Sequence, residues 1–155
     1  MPNLFAKLQQ THLFQVPLEH IYASNIFDEK EYDKLYENQN NPDHKVWKDF
    51  QTTYKFKKTR FFNDLNNADL TQTIICLWFF KDRGDRNKGK DIEISNDKET
   101  KTIIYSPNTF LIFYNSYKTN IKIIERKTRS PRRSCLQLYF DYETYDKICQ
   151  HINKN

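Results

Sequence analysis

Hydrophobic and polar residues follow two different periods along this chain. Residues 12–26 read as one or two short extended segments, interrupted at Pro17. Asp28 then stands as a helix N-cap, and Glu31, three residues on, completes a capping box. Tyr32, Leu35 and Tyr36 fall on one face of that helix at i, i+3 and i+4. Asn38-Gln39-Asn40-Asn41-Pro42 stops it, since Asn favours turns and Pro cannot continue a helix.

From about residue 50 the period is that of strands. Thr53-Tyr54-Lys55-Phe56-Lys57 alternates as a half-buried strand does, and residues 63–69 have loop chemistry. Residues 73–80 are β-branched or aromatic on both faces, which predicts a buried central strand. Residues 81–90 form a polar loop that holds both glycines of the chain, Gly84 and Gly89. Residues 91–94 alternate again and end in the turn Ser95-Asn96-Asp97. Strands follow at 102–105, 109–114 and 120–124, with Ser106-Pro107-Asn108 and Asn115-Ser116 as turns. Residues 134–140 are a last strand. Asp141 caps a terminal helix with Tyr142, Tyr145, Ile148, Cys149 and Ile152 on one face. There is no internal repeat. Short strands at regular spacing with a helix near each end predict a mostly-β fold, a sandwich or jelly roll.

Composition fits one such domain over residues 1–155. Leu, Ile, Val and Phe number 39 of 155 residues, above the level at which a chain stays disordered for want of apolar surface. The longest apolar run, residues 74–80, is far too short to span a bilayer, and the N-terminus lacks the pattern of a secretory signal. Cys76, Cys135 and Cys149 are odd in number and widely spaced, so they suggest neither a disulfide framework nor a zinc site; reduced, buried thiols are expected. With two glycines only, the chain has no phosphate-cradling loop and no dinucleotide fingerprint. Most nucleotide-driven chemistry is excluded.

The net charge of +5 is uneven. Lys118, Lys122, Arg126, Lys127, Arg129, Arg132 and Arg133 face only Glu125 in their stretch of chain. Lys118, Lys122, Arg126, Lys127 and Arg129 form a patch suited to an anionic partner, or else a solvated loop between strands. No helix-turn-helix, finger or aromatic RNA-binding signature accompanies it, so nucleic acid is not the expected partner. Asp82, Asp85 and Asp91 lie among Arg83 and Arg86, which points to local ion pairing. Trp47, Trp78 and Phe61-Phe62 have the spacing of core residues.

Four passages stand in a telling order: Phe27-Asp28-Glu29 and on to Glu37; Ile74-Ile75-Cys76-Leu77-Trp78-Phe79-Phe80; Tyr105-Ser106-Pro107-Asn108-Thr109 and on to Asn115; and Arg132-Arg133-Ser134-Cys135-Leu136-Gln137-Leu138-Tyr139-Phe140. Over roughly residues 20–141 this order resembles the double-stranded β-helix of the 2-oxoglutarate/iron(II)-dependent oxygenases, notably the prolyl-hydroxylase-like group. The first passage is similar to the helix that opens such domains. The second resembles the strand after the first metal-ligand loop, and the third the turn and strand leading to the distal histidine. The fourth resembles the strand whose arginine holds the cosubstrate's far carboxylate. The resemblance implies a jelly roll with a short N-terminal helix and a C-terminal helix. In an active member it also implies iron(II) and 2-oxoglutarate as cofactors. It gives Arg132 or Arg133 the substrate-binding role, and strand alternation lets only one of the two point inward.

The iron-binding pattern departs from that family, whose metal is held by His-x-Asp/Glu and a distal His. The chain's histidines are His12, His20, His44 and His151, and none has Asp or Glu two residues later. The family register puts Phe62-Asn63-Asp64 at the first ligand pair, and Asn120, Ile121 or Lys122 at the distal histidine. Only Asp64 of the triad remains. The four imidazoles read instead as surface or cap residues. The expectation is therefore a catalytically silent oxygenase-like jelly roll, with no catalytic residue, no metal ligand and no cofactor. It would act as a binding or structural module toward protein partners or copies of itself, in the cytoplasm or on a virion. Heavy use of Lys, Asn, Ile, Tyr and Phe fits an AT-rich genome, which bacteriophages and some low-GC bacteria share. The alternative is an iron(II)/2-oxoglutarate hydroxylase with an atypical metal site.

Overall fold

The computed structural model describes residues 8, 11–25, 27–39, 41, 43–54, 58–62, 65–80, 91–104, 108–116, 118–124 and 135–154. Along the chain these form β1 (His12–Phe14), β2 (His20–Ser24), α1 (Glu29–Glu37), α2 (Lys45–Tyr54), β3 (Lys58–Phe62), β4 (Ile74–Phe79), β5 (Asp91–Ser95), β6 (Thr100–Ile103), β7 (Thr109–Tyr114), β8 (Asn120–Ile124), β9 (Cys135–Tyr139), α3 (Tyr142–His151) and β10 (Asn153–Lys154). Seven strands make a large sheet in the order β10-β1-β2-β7-β4-β9-β3, and three make a small one, β6-β5-β8. All pairings are antiparallel except β1 with β10, which is parallel.

The large sheet is covered on both faces, which explains why β4 is apolar throughout and β7 is apolar after Thr109. Cys76, Trp78, Phe110, Ile112, Leu136 and Leu138 meet the helices, through Tyr32 and Leu35 of α1, Val46, Trp47 and Phe50 of α2, and Tyr145, Ile148 and Cys149 of α3. On the opposite face Ile75, Leu77, Phe79, Leu111, Phe113 and Cys135 meet Ile92, Ile94, Ile103 and Ile121 of the small sheet. The second layer is the sandwich interior. All three cysteines are free and buried, and burial pushes the Cys76 thiol well above the ordinary range.

Both expected caps form. The Asp28 side chain accepts from Glu31 N at 2.8 Å, and that of Asp141 accepts from Thr144 N at 2.9 Å. Replacing the second, Asp141→Ala, is expected to cost about 1 kcal/mol. The urea midpoint should fall with an unchanged slope, whereas an unmoved midpoint would mean the bond contributes nothing. Tyr145, Ile148 and Cys149 of α3 and its C-cap Ile152 are buried, but Tyr142 is exposed and does not belong to the packed face. Tyr145 donates its hydroxyl proton to Glu19 Oε1, which joins α3 to the β1–β2 connection.

The largest correction concerns residues 45–54; Lys55, Phe56 and Lys57 of the expected strand lie outside the described residues. Lys45–Tyr54 is helical, so Thr53 and Tyr54 end a helix instead of opening a strand; the strand itself begins at Lys58. Val46, Trp47 and Phe50 lie at helical spacing and fill one buried face. Trp47 Nε1–H donates to Asn38 O at 2.9 Å, locking α2 to the end of α1. Tertiary burial of this face overrides the weak preference of Thr and Tyr for strand. Two smaller shifts occur: β6 begins at Thr100 where 102 was expected, and Ser95 is still in β5, leaving Asn96 to make the turn. The glycine loop of residues 81–90 lies outside the described residues, as do Asp82, Asp85, Arg83 and Arg86. No helix among the described residues is long and apolar enough to cross a membrane.

Candidate functional site

Two places merit examination: the sandwich interior, where the resemblance implies a metal site, and a groove at the mouth between the sheets.

The interior is lined by alternate residues of each strand. Phe62 is buried at the end of β3, against Cys135 of β9. At the distal position, Ile121 is the inward residue, buried in the interior cluster. Its neighbours Asn120 and Lys122 are exposed, and Lys122 Nζ pairs with Glu93 Oε1 at 3.1 Å across the outer face of the small sheet. Gln137 shares the inward face of β9 with Cys135 and is almost fully buried. Its amide is occupied: Oε1 accepts from Asp69 N at 2.9 Å and Nε2 donates to Asp69 O at 2.8 Å. The Asp69 carboxylate turns away, accepting from the Thr71 hydroxyl and Gln72 Nε2, and these bonds hold it below the usual carboxylate range.

This inventory does not match the donor set iron(II) needs in the related fold. Phenylalanine and isoleucine sit at the interior positions to which the resemblance assigns two imidazoles, and the described amide that reaches the interior is spent on backbone. Among the described residues no three His, Cys, Asp or Glu side chains converge. Asp64, Arg126, Lys127, Arg129, Arg132 and Arg133 lie outside the described residues; Lys118 and Lys122 are the part of the expected basic patch that is described. Lys118 precedes β8 in the turn and Lys122 is on its exposed face.

The histidines divide. His12 is exposed, and His44 caps α2, its Nδ1 accepting from Val46 N at 3.1 Å. His20 is fully buried, which overturns the expectation of a surface or cap residue. It lies opposite Phe113 in the β2–β7 register and stacks on Phe14 with ring centroids 5.0 Å apart and planes 16° from parallel. Its Nδ1 lies 2.8 Å from Leu18 O, which can only accept, so Nδ1 carries the proton and Nε2 offers a lone pair. Lys101 Nζ, 3.0 Å away, donates to it. Burial lowers the His20 pKa from 6.5 to about 4, the Leu18 carbonyl opposing the shift and Lys101 adding to it. Burial also lowers the Lys101 ammonium from its ordinary value.

Around this pair lies a groove of about 300 Å³, walled by Phe14, His20, Tyr22, Lys101, Thr102, Ile103 and Ile104. It opens between β1–β2 of the large sheet and β6, the outer strand of the small one. Sequence reasoning missed it because His20 and Lys101 are 81 residues apart. The signal that was present is the alternation of β2, which puts His20 and Tyr22 on one face.

No family model and no curated protein matches the chain. Among solved structures it is similar to a crystal structure of a Pseudomonas putida prolyl-4-hydroxylase, at 7% sequence identity over 89% of this chain and 94% of that one, with a TM-score of 0.50. At that identity the likeness speaks for the fold alone. The fold is mostly β, two packed antiparallel layers of the jelly-roll kind that the oxygenase resemblance implied.

Proposed function

We propose that this chain is a catalytically silent relative of the oxygenase-like jelly rolls, working as a binding or structural module without iron(II) or 2-oxoglutarate. One observation carries the reading: Phe62 and Ile121 fill, with apolar side chains, the two interior positions at which the resemblance calls for histidine. A fold does not bring an activity with it when the ligating atoms are absent from their positions. Its partners are proteins, copies of itself included, in the cytoplasm or in a virion. Support for protein partners comes from the two sheets, which end in β10 and β3 and in β6 and β8; outer strands offer backbone groups for pairing. The basic patch that contains Lys118 and Lys122 suits an anionic face on such a partner.

The deciding experiment is an anaerobic titration with iron(II) in the presence of 2-oxoglutarate. No charge-transfer absorption of a metal–keto-acid chelate is expected at stoichiometric metal. A clear band would replace this reading with the alternative, an iron(II)/2-oxoglutarate hydroxylase with an atypical metal site.

A further inference from the structure

The groove between β2 and β6 combines three features that point to one kind of ligand. First, it holds a cation that no carboxylate among the described residues neutralises. Lys101 Nζ is held by a neutral acceptor, His20 Nε2, and by the face of Phe14, 4.0 Å from the ring centroid. Among the described residues no carboxylate pairs with it. An ammonium has three protons to donate, and the imidazole takes one. The π-face steadies the charge without neutralising it.

Second, the cation is fixed in direction. His20 is immobilised by the Leu18 carbonyl on one nitrogen and by stacking on Phe14, so its lone pair aims Lys101 from a rigid base. A flexible lysine on a solvated strand has no such anchor. Preorganisation of this sort reduces the entropy lost when a partner binds.

Third, the walls are apolar and partly bare. Phe14 is 38% exposed and Ile104 64% exposed, on either side of the opening, with Tyr22 and Ile103 between them. Two large apolar side chains left in water around one cavity mark a surface that gains by being covered. The volume is at the small end for ligand sites, which suits a single ring or a short branched chain and excludes a nucleotide. One ammonium, with no arginine among the described lining residues, matches one negative charge, where a phosphate dianion would be underserved.

We propose that this groove binds a small organic monocarboxylate with an aromatic or branched aliphatic body, the carboxylate accepting from Lys101 Nζ and the body lying against Phe14, Tyr22, Ile103 and Ile104. This site is separate from the interior positions that decide the oxygenase question, and it stands whichever way the iron titration falls.

Phenylacetate is a suitable probe, with phenylacetamide as its uncharged isostere and acetate as the same charge without the ring. Each is titrated into the full chain and followed by amide chemical shifts. Phenylacetate is expected to bind at least about tenfold more tightly than either control, since one charge-assisted hydrogen bond and one buried ring each account for about that factor. Its shifts should map to β1, β2 and β6. Lys101→Met should bring phenylacetate down to the level of the amide, and Lys101→Arg should restore most of the difference. Ile104→Ser, at an exposed rim where folding is not at stake, should weaken phenylacetate and leave acetate unchanged. Equal binding of acid and amide, equal binding of phenylacetate and acetate, shifts away from these strands, or no saturable binding up to about 10 mM would each overturn the proposal.

Discussion

Replacing Trp78 with alanine is expected to remove about 4 kcal/mol of folding stability, a large fraction of what a domain of this size possesses. The indole is fully buried in the middle of the large sheet. Phe27 meets it edge-on at 4.5 Å, Phe50 stacks at 5.8 Å with planes 15° from parallel, and Phe80 and Tyr32 close the cluster. Its Nε1–H donates to Asn108 Oδ1 at 3.0 Å, and Asn108 Nδ2 donates in turn to Phe27 O at 2.8 Å. Truncation therefore opens a cavity between α1, α2 and the sheet and also leaves a buried carboxamide oxygen without its donor. Trp78→Phe separates the two effects. It retains most of the packing and loses the donor, so about 1–2 kcal/mol should go. Trp47 is the other tryptophan of the chain, so its fluorescence reports denaturation of both variants. A loss under about 1.5 kcal/mol for Trp78→Ala would show that the aromatic cluster reorganises around the gap.

That cluster shows what the sequence discloses and what it withholds. Residues 74–80 declare themselves as a two-sided strand because only burial on both faces tolerates Ile, Leu, Trp and Phe in succession. Asp28 and Asp141 declare their helices because a cap is a local bond spanning three residues. Helix α2 is the opposite case. Among the described side chains its apolar face consists of Val46, Trp47 and Phe50, and Thr52, Thr53 and Tyr54 follow with strand-like preference. What makes it helical is the fit of Trp47 and Phe50 into a layer contributed by β4 and α1, and no window of ten residues contains that information.

The functional residues divide along the same line. The departure from the oxygenase pattern was legible, since it depends on which residue types occupy a known order, and Phe62 and Ile121 do prove to be buried interior residues. Arg132 and Arg133 stand outside the described residues, so their inward or outward direction has no structural account. His20 was misjudged for a physical reason. A single imidazole in an extended segment is usually wet, and only the antiparallel hairpin of β1 and β2, laid against β7 and capped by Phe14, takes this one out of water. Lys101 was invisible for a similar reason, because β6 reads as an ordinary polar strand until its end meets β2.

Burial of that imidazole sets a pH dependence of its own. Unfolded, His20 takes up a proton near its ordinary value of 6.5; folded, it resists until about 4. Between those values the unfolded chain binds more protons than the native one, so stability falls as the pH is lowered. The contribution is complete above about pH 6.5 and gone by about pH 4, and it amounts to about 2 kcal/mol once screening by solvent is allowed for. Carboxylates elsewhere titrate across the lower part of the same window, so the informative quantity is the difference between the native chain and His20→Gln. Glutamine can donate to Leu18 O and accept from Lys101 without titrating. The variant should track the native chain in slope above pH 6.5 and then lose stability less steeply down to pH 4, measured as urea midpoints at half-unit steps. Parallel curves across the whole range would mean that His20 accepts its proton in the folded state as readily as in the unfolded one. Burial beneath Phe14 and the charge of Lys101 would then not be holding it neutral.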